Sequence, residues 1–396
     1  MRLWKIVLMF VFLGISALML SCGQDDETDG GGGDDGAGGG GTEVTYNYVG
    51  TQTAGDFWQL YSDDDSDTGD ITVINETTGY SYSGTASPSA EPGFTLLTVT
   101  DSDDPDFSGE FTGYMVKVPG TMMVVAPGPF EVFDHGDGVE VFEVFGSASP
   151  PIVAIQKGNC PAEGGTFNLI MMPPEEWDSR DDPAYGQAVL TVIGDNTYDI
   201  GLTMYRLDET ELLSGTVSGA TCENGVLTGD LDTGDELVEV KVSFTPSGLI
   251  FVDLPPGYGA LAGVEESDVD VDSADFFSGR VFTGMYFNSN YGYESGDSHP
   301  ETDPTYMETI APATVRGYQY TSDLETAGNK GDPFDMSLED MTQPFPGLIR
   351  TEMTDADGTH DFVLALRKID GRYFFFSISD NWPSMHGYNT LMIEQN

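Results

Sequence analysis

Apolar and polar residues largely alternate along the chain after Thr45. The stretches DITVINE (70–76), VEVFEVF (139–145) and LVEVKVSF (237–244) show this period of two and are rich in β-branched and aromatic residues. The pattern is typical of half-buried β-strands, because successive side chains of a strand point to opposite faces. Turn sequences such as TTGY, VPGT and TPSG recur every eight to twelve residues. Together these features predict an all-β fold built of antiparallel sandwich or barrel-like modules.

One short stretch is expected to differ. The sequence DMSLEDM, residues 335–341, is predicted to form a helical turn. No long run of apolar residues has the period of an amphipathic helix. We therefore expect helix to contribute little to the fold.

Three segments of the chain share one order of features: a glycine, a strand, an acidic turn and a tight hairpin. Such internal repetition predicts three tandem related modules. Meandering sheets resemble one another at this level, so a likeness without true repetition is one alternative. One continuous body, formed by repeats that pack on one another, is another. The leading glycines are Gly93, Gly225 and Gly347, and those of the hairpins are Gly120, Gly248 and Gly371.

The predicted modules occupy residues 44–149, 150–266 and 278–396, each near the usual size of a domain. The pair Pro150-Pro151 marks the first boundary. An acidic linker, residues 267–277, separates the second module from the third.

The charge of the chain is extreme: 67 acidic residues stand against 14 basic ones, a formal net charge of −53 at pH 7. Binding to phosphate requires clustered lysine and arginine, so we expect no nucleic acid partner. A hydrophobic content of 39% is enough for a folded core, so the charge does not indicate disorder. Such a surface attracts cations, and adaptation to salt is the alternative explanation.

The N-terminal residues have the pattern of a secretory signal peptide. Arg2 and Lys5 flank an uncharged run, Ile6 to Leu20, which is shorter than the roughly 20 residues that a membrane-spanning helix needs. The run ends in Met19-Leu20-Ser21-Cys22, which resembles the lipobox of bacterial lipoproteins. The resemblance implies that Cys22 is acylated and anchors the mature chain in a membrane. An ordinary cleaved signal, or an uncleaved anchor with an incidental cysteine, is the alternative.

Residues 1–21 are thus the predicted lipoprotein signal, and residues 22–43 are predicted to be a disordered acidic tether. The tether is mainly glycine, aspartate and glutamate, so it has little to bury and much backbone entropy to lose on folding. A flexible chain of this length spans roughly 25 Å. Gly23 follows Cys22 directly, which by resemblance to enterobacterial lipoproteins favours the outer membrane, with either face open.

With this lipobox and tether, the chain resembles β-rich, acidic envelope lipoproteins of Gram-negative bacteria. The resemblance is carried by Cys22, by NETTGYSYSGT (75–85) and by the sequences around Cys160 and Cys222. It implies an exported, lipid-anchored, strand-rich protein of the cell envelope, and it implies no activity.

Once Cys22 is acylated, two thiols are left, Cys160 and Cys222. An even number of cysteines in an oxidising compartment indicates a disulfide, so a bridge between Cys160 and Cys222 is predicted. Two buried free thiols are the alternative.

Acidic turns are the candidate metal sites. Closely spaced aspartates in a loop supply the roughly six to eight oxygen ligands that Ca²⁺ prefers, so calcium is the possible cofactor. Aspartate also favours turns because it hydrogen-bonds its own backbone, which makes solvated turn carboxylates the alternative. The candidate calcium ligands are Asp63, Asp65, Asp67, Asp268, Asp270, Asp272, Asp355, Asp357 and Asp361.

The sequence contains no metalloprotease, nucleotide-binding or serine-hydrolase motif. We therefore predict a non-catalytic binding or structural module, with an envelope protein or a carbohydrate as partner. Trp58, Trp177 and Trp382 beside polar turns, and the tyrosine-rich loop 286–296, suggest a stacking surface for sugars or peptides. The alternatives are an envelope hydrolase that uses carboxylates and a calcium-dependent adhesin that binds carbohydrate or protein.

Overall fold

The chain folds into antiparallel β-strands joined by turns. The computed structural model describes residues 46–62, 69–105, 107, 109–126, 130–133, 144–147, 150–172, 184–234, 236–268, 276–291, 299–319, 333–354, 358–379 and 388–395. The regular elements in these ranges are strands, which confirms the all-β prediction. No helix in the same ranges has the length and apolar character of a membrane span.

The first barrel is a closed ring of eight strands. Each strand pairs with the next along the chain, and the last closes the ring by pairing with the first. The strands are β1 (Tyr46–Thr51), β2 (Phe57–Ser62), β3 (Gly69–Asn75), β4 (Ser81–Pro88), β5 (Thr95–Ser102), β6 (Phe111–Val118), β7 (Met122–Ala126) and β10 (Ile152–Gln156).

The second barrel is likewise a closed ring of eight strands, and its last strand pairs with its first. The strands are β11 (Gly165–Met172), β12 (Ala184–Gly194), β13 (Thr197–Arg206), β14 (Glu211–Glu223), β15 (Val226–Asp232), β16 (Leu237–Phe244), β17 (Leu249–Asp253) and β18 (Ala260–Glu265).

The third barrel closes where its first strand pairs with both its second and its last. Its strands are β19 (Ser278–Tyr291), β20 (His299–Ile310), β21 (Thr314–Gln319), β22 (Phe334–Phe345), β23 (Leu348–Thr354), β24 (Thr359–Ile369), β25 (Arg372–Ser379) and β26 (Tyr388–Glu394). A hairpin of β8 (Phe130–Phe133) and β9 (Val144–Ser147) extends this sheet. Ser147 of β9 pairs with Thr302 of β20.

The three barrels are the related modules that the repeats predict, but their limits differ from the predicted ones. Strand β10 follows Pro150-Pro151 and completes the first barrel, although the sequence places it in the second module. The β8–β9 hairpin lies within predicted module 44–149 and yet joins the sheet of the third barrel. At the end of the predicted linker, Phe276 and Phe277 are buried in the interior of the third barrel.

The repeated segments occupy equivalent places in the three rings. They form the fifth, sixth and seventh strands of each barrel: β5 to β7, β15 to β17 and β23 to β25. Each fifth strand follows a glycine with positive φ, 87° at Gly93, 81° at Gly225 and 80° at Gly347. Glycine adopts this left-handed conformation without the steric cost that a side chain brings.

The helical turn predicted at residues 335–341 is wrong. These residues lie in β22, where Met336 and Leu338 are buried while Ser337 and Glu339 are exposed, a period of two. The alternation breaks at Asp340, which has a φ of 51° at a shift in register. The break obscures the strand pattern in the sequence.

Each barrel encloses its own apolar interior. The second is mainly aliphatic, whereas aromatic rings dominate parts of the third, where Phe282 and Phe375 have ring centroids 5.2 Å apart. Buried interior residues include Leu60 and Met123 in the first barrel, Leu169, Ile250 and Val252 in the second, and Phe282, Leu366 and Phe375 in the third.

A fourth apolar cluster, the shared core, receives residues from all three barrels. In β17, Ile250 belongs to the interior of the second barrel, whereas its neighbours Leu249 and Phe251 belong to the shared core. Phe251 meets Phe376 of the third barrel edge to face, with ring centroids 5.8 Å apart. Other members of the shared core are Met122, Val124, Val153, Ile155, Ala262, Val264, Leu348, Val363 and Ile393.

Polar contacts also join the barrels. Arg367 of β24 forms an ion pair with Glu265 of β18 at 2.9 Å between Nη2 and Oε2. The Nε of Arg367 also donates a hydrogen bond to the carbonyl of Ser247 at 2.9 Å. Asn389 of β26 donates from Nδ2 to the carbonyl of Met171 at 2.9 Å. The second and third barrels are therefore held by directed bonds as well as by apolar contact.

A buried carboxyl group joins the first barrel to the second. Thr51 of β1 donates a hydrogen bond from Oγ1 to Oδ1 of Asp253 at 2.6 Å, and Asp253 is 8% exposed. Burial raises the pKa of Asp253 to about 6, and the charges of Asp56 and Glu239 add to the increase. The hydrogen bond from Thr51 and the charge of Lys241 act in the opposite direction.

We expect Asp253 to lower the stability of the protein as pH rises. The ordinary pKa of an aspartate is 3.8, whereas that of Asp253 in the folded chain is about 6, so the folded state binds the proton more tightly in this window. The contribution of Asp253 to the free energy of unfolding therefore falls by about 2 kcal/mol as pH rises from about 4 to about 7. An Asp253→Asn variant lacks this titration. Its stability relative to the wild type, measured by urea unfolding, should therefore be greater at about pH 7 than at about pH 4.

The exposed Asp230 of β15 supplies the matched control. An Asp230→Asn variant should differ from the wild type by the same small amount at both pH values. The expectation would be contradicted if the difference in free energy of unfolding between wild type and Asp253→Asn were the same at both pH values.

Candidate ligand-binding site

One end of the second barrel is covered by the segment that leads into it, residues 157–164. Cys160 in this segment is bonded to Cys222 of β14, with Cα atoms 5.8 Å apart, which confirms the predicted disulfide. The hydroxyl of Tyr198 donates a hydrogen bond to the carbonyl of Pro161 at 2.7 Å. Gly225 leaves room for the segment, because a Cβ there would lie 2.0 Å from the carbonyl oxygen of Gly158.

The opposite end of the second barrel opens into a cavity of about 490 Å³. Three hairpins contribute to its rim, those joining β13 to β14, β15 to β16 and β17 to β18. Small-molecule sites in proteins commonly have volumes of roughly 300–1,000 Å³. The cavity is therefore large enough for a small ligand.

The walls of the cavity are aliphatic and continue the interior of the barrel. An eight-stranded barrel is just wide enough either to be filled by side chains or to hold one small ligand. Aromatic rings fill the third barrel and leave a cavity of only about 20 Å³ there, whereas the second barrel keeps space at one end. The apolar lining consists of Met171, Leu202, Met204, Leu212, Leu213, Leu231, Val238, Leu254 and Leu261.

Two carboxylates and a tyrosine stand at the mouth. Tyr258, 39% exposed, donates a hydrogen bond from its hydroxyl to Oε1 of Glu236 at 2.7 Å. This bond raises the pKa of Tyr258. Glu211 accepts a hydrogen bond at Oε1 from the hydroxyl of Ser214 at 2.8 Å. The site thus combines an apolar body with a polar mouth, which suits binding of an amphiphilic molecule.

Most of the predicted ligands of calcium lie outside the described residues. Of the two that lie within them, Asp268 is exposed, and Oδ1 of Asp361 lies 3.7 Å from Nη2 of Arg350. Among the described residues, no three His, Cys, Asp or Glu side chains form a group that could hold a metal ion. Calcium binding therefore stays a prediction. The predicted site residues outside the described ranges are Cys22, Asp63, Asp65, Asp67, Asp270, Asp272, Asp355 and Asp357.

The structure places part of the predicted aromatic stacking surface in the interior. Trp58 is 8% exposed and belongs to the interior of the first barrel, with its ring centroid 6.2 Å from that of Tyr82. Tyr286, at the start of the tyrosine-rich loop, is 5% exposed. Trp177 and Trp382 lie outside the described residues.

The sequence does not predict the cavity. Leu202 and Met204 alternate with polar neighbours, so in the sequence they look like any inward-facing strand positions. One feature of the sequence does hint at the cavity, namely apolar residues next to the turns of the hairpins. Leu212 and Leu213 are adjacent apolar residues directly after a turn, and Leu237, next to another turn, is 68% exposed.

No known family model matches the chain, and no curated protein matches it. Among solved structures, it is similar to a double mutant of the vaccine antigen transferrin-binding protein B from Haemophilus parasuis, with 9% identity and a TM-score of 0.26. The match covers 86% of this chain and 65% of that one, so the chain spans less than two thirds of the other's length. A likeness at this level carries no conclusion about this chain.

We expect the disulfide to stabilise the second barrel. Replacing Cys160 and Cys222 together by serine should lower the free energy of unfolding by about 4 kcal/mol, because the bond joins residues 62 positions apart. Urea unfolding without reductant measures the loss. Reductant should destabilise the wild type by a similar amount and leave the double variant unchanged, whereas an equal response of both proteins would contradict the expectation.

Proposed function

We propose that this protein is an exported, lipid-anchored protein of the cell envelope, and that its second barrel binds a small apolar molecule without catalysis. The observation that carries the binding part is the apolar cavity of about 490 Å³ at the open end of this barrel. Moving an apolar molecule from water into such a cavity is favourable by roughly 25 cal/mol for each Å² of apolar surface buried.

Four features support the proposed location. The apolar run that ends at Cys22 resembles a lipoprotein signal, and the acidic segment 22–43 has the composition of a tether. The bond between Cys160 and Cys222 is of a kind that persists in oxidising compartments. Gly23 after Cys22 favours the outer membrane as the site of anchoring.

A hydrolase is the rival from another class. It needs carboxylates with shifted pKa values that converge in a cleft. The raised pKa of Asp253 belongs to a group that Thr51 bonds in the joint between two barrels, and Asp253 does not line the cavity. The described carboxyl group whose pKa is raised therefore lies outside the cavity, and this supports binding over hydrolysis.

The binding proposal is tested with Nile red, a neutral apolar dye whose fluorescence rises in apolar surroundings. We expect a saturable increase in fluorescence with one dye bound per chain. A Leu213→Trp variant fills part of the cavity and should weaken binding of the dye by at least about tenfold. Fluorescence titration of purified protein gives both quantities.

Val189, on β12, is 46% exposed and does not line the cavity. A Val189→Trp variant is therefore the matched control and should bind the dye like the wild type. The binding proposal is wrong if binding does not saturate, or if the two tryptophan variants weaken it equally.

The anchor is tested by mass spectrometry of the protein purified from the membrane of its native host. We expect a mature chain that begins at Cys22 and carries acyl groups, because more than one acyl chain is needed for stable anchoring. A Cys22→Ser variant should lack the acyl mass and appear in the soluble fraction. A mature chain that begins elsewhere, or that has no acyl mass, would contradict the proposed anchor.

A further inference from the structure

We infer that the ligand of the second barrel has a cationic head group on an apolar body, as a primary alkylamine has. The inference rests on the proposed binding function and adds the chemical class of the ligand. Its basis is the juxtaposition of Glu211 and Glu236 with the aliphatic walls of the cavity.

The two carboxylates are oriented by neighbours on the hairpins of the rim. Tyr258 and Ser214 donate to Oε1 of Glu236 and Glu211, at 2.7 and 2.8 Å respectively. The backbone amide of Glu236 also donates to Oγ1 of Thr233 at 3.3 Å. Among the contacts of the described residues, Oε2 of neither glutamate accepts a hydrogen bond. Each therefore keeps an acceptor for a ligand at the mouth.

Basic side chains do not neutralise the mouth within the described lining, which contains no lysine or arginine. Arg206 lies on the same hairpin as Glu211, but its Nη1 contacts the backbone carbonyl of Glu211 at 3.5 Å. Hydrogen bonds from Thr210, together with the charge of Arg206, lower the pKa of the neighbouring Asp208. Arg206 is not among the described residues that line the cavity.

The electrostatic field of the whole chain also favours a cationic ligand. A formal net charge of −53 repels an anionic amphiphile such as a fatty acid and attracts a cationic one. A ligand with its apolar body in the cavity places its head at the rim, beside two carboxylates that are themselves exposed. The field of the chain and these two carboxylates both favour a positive charge there.

The inference is tested by displacing Nile red from the full chain with octylamine, octanol and octanoate, which share one apolar body. At about 0.15 M salt, where long-range charge effects are screened, octylamine should displace the dye at about tenfold lower concentration than octanol. Octanoate should be weaker than octanol. Equal potency of the amine and the alcohol, or stronger displacement by octanoate, would overturn the inference while leaving binding of apolar molecules intact.

A double variant, Glu211→Gln with Glu236→Gln, keeps the shape of the mouth and an acceptor for Tyr258. It should lose the tenfold preference for the amine over octanol. Glu223 and Asp230 are exposed positions of the same barrel that do not line the cavity. The control Glu223→Gln with Asp230→Asn removes the same charge and should keep the preference.

The outcomes separate the two proposals. If Nile red does not bind at all, the proposed binding function fails, and the inference fails with it. If the dye binds and the control variant loses the amine preference as fully as the rim variant, net charge and not the rim selects the ligand. That result would overturn the inference alone.

Discussion

The structure depends on the burial of apolar outer faces of three closed barrels against one another. A closed barrel pairs its own strands and has no free edges. An apolar outer face of such a barrel is nevertheless exposed to water unless another surface covers it. In this chain every residue of β7 and of β17 is buried, which means that both faces of these strands exclude water. The outer faces, including Phe251 and Phe376, therefore require one another. The shared core makes the three rings one body.

Much of the fold follows from the alternation of apolar and polar residues. The features that this pattern does not predict have one physical cause in common. The alternating stretch 237–244 is β16 itself, because one face of that strand is exposed. A strand buried on both faces has no alternation, so MMVVA in β7 and LIFVD in β17 do not show which face meets which neighbour. For the same reason the sequence predicts three modules but not the shared core between them. The pairing of Ser147 with Thr302 joins distant segments, which no local period encodes.

Chemistry was predictable only where few residues compete for a role. Two cysteines remain after Cys22, so the bond between Cys160 and Cys222 follows from a count. Carboxylates number 67, and so the sequence does not distinguish Glu211 and Glu236 from the rest. These two become special only because separate hairpins bring them to one apolar mouth. A cavity is space that the side chains leave unfilled. In an eight-stranded barrel, the volumes of the inward-facing side chains determine whether such space remains, and a local sequence pattern does not show this.

The β8–β9 hairpin gives the chain an order of assembly. It leaves the first barrel before that barrel receives its last strand, β10, and it docks on β20, which is synthesised much later. A nascent chain that has completed the second barrel still carries this hairpin without its partner strand, and an unpaired strand edge invites association with other chains. The proposed export bears on that hazard, because a polypeptide that folds only after it has been exported has its first and last thirds available together.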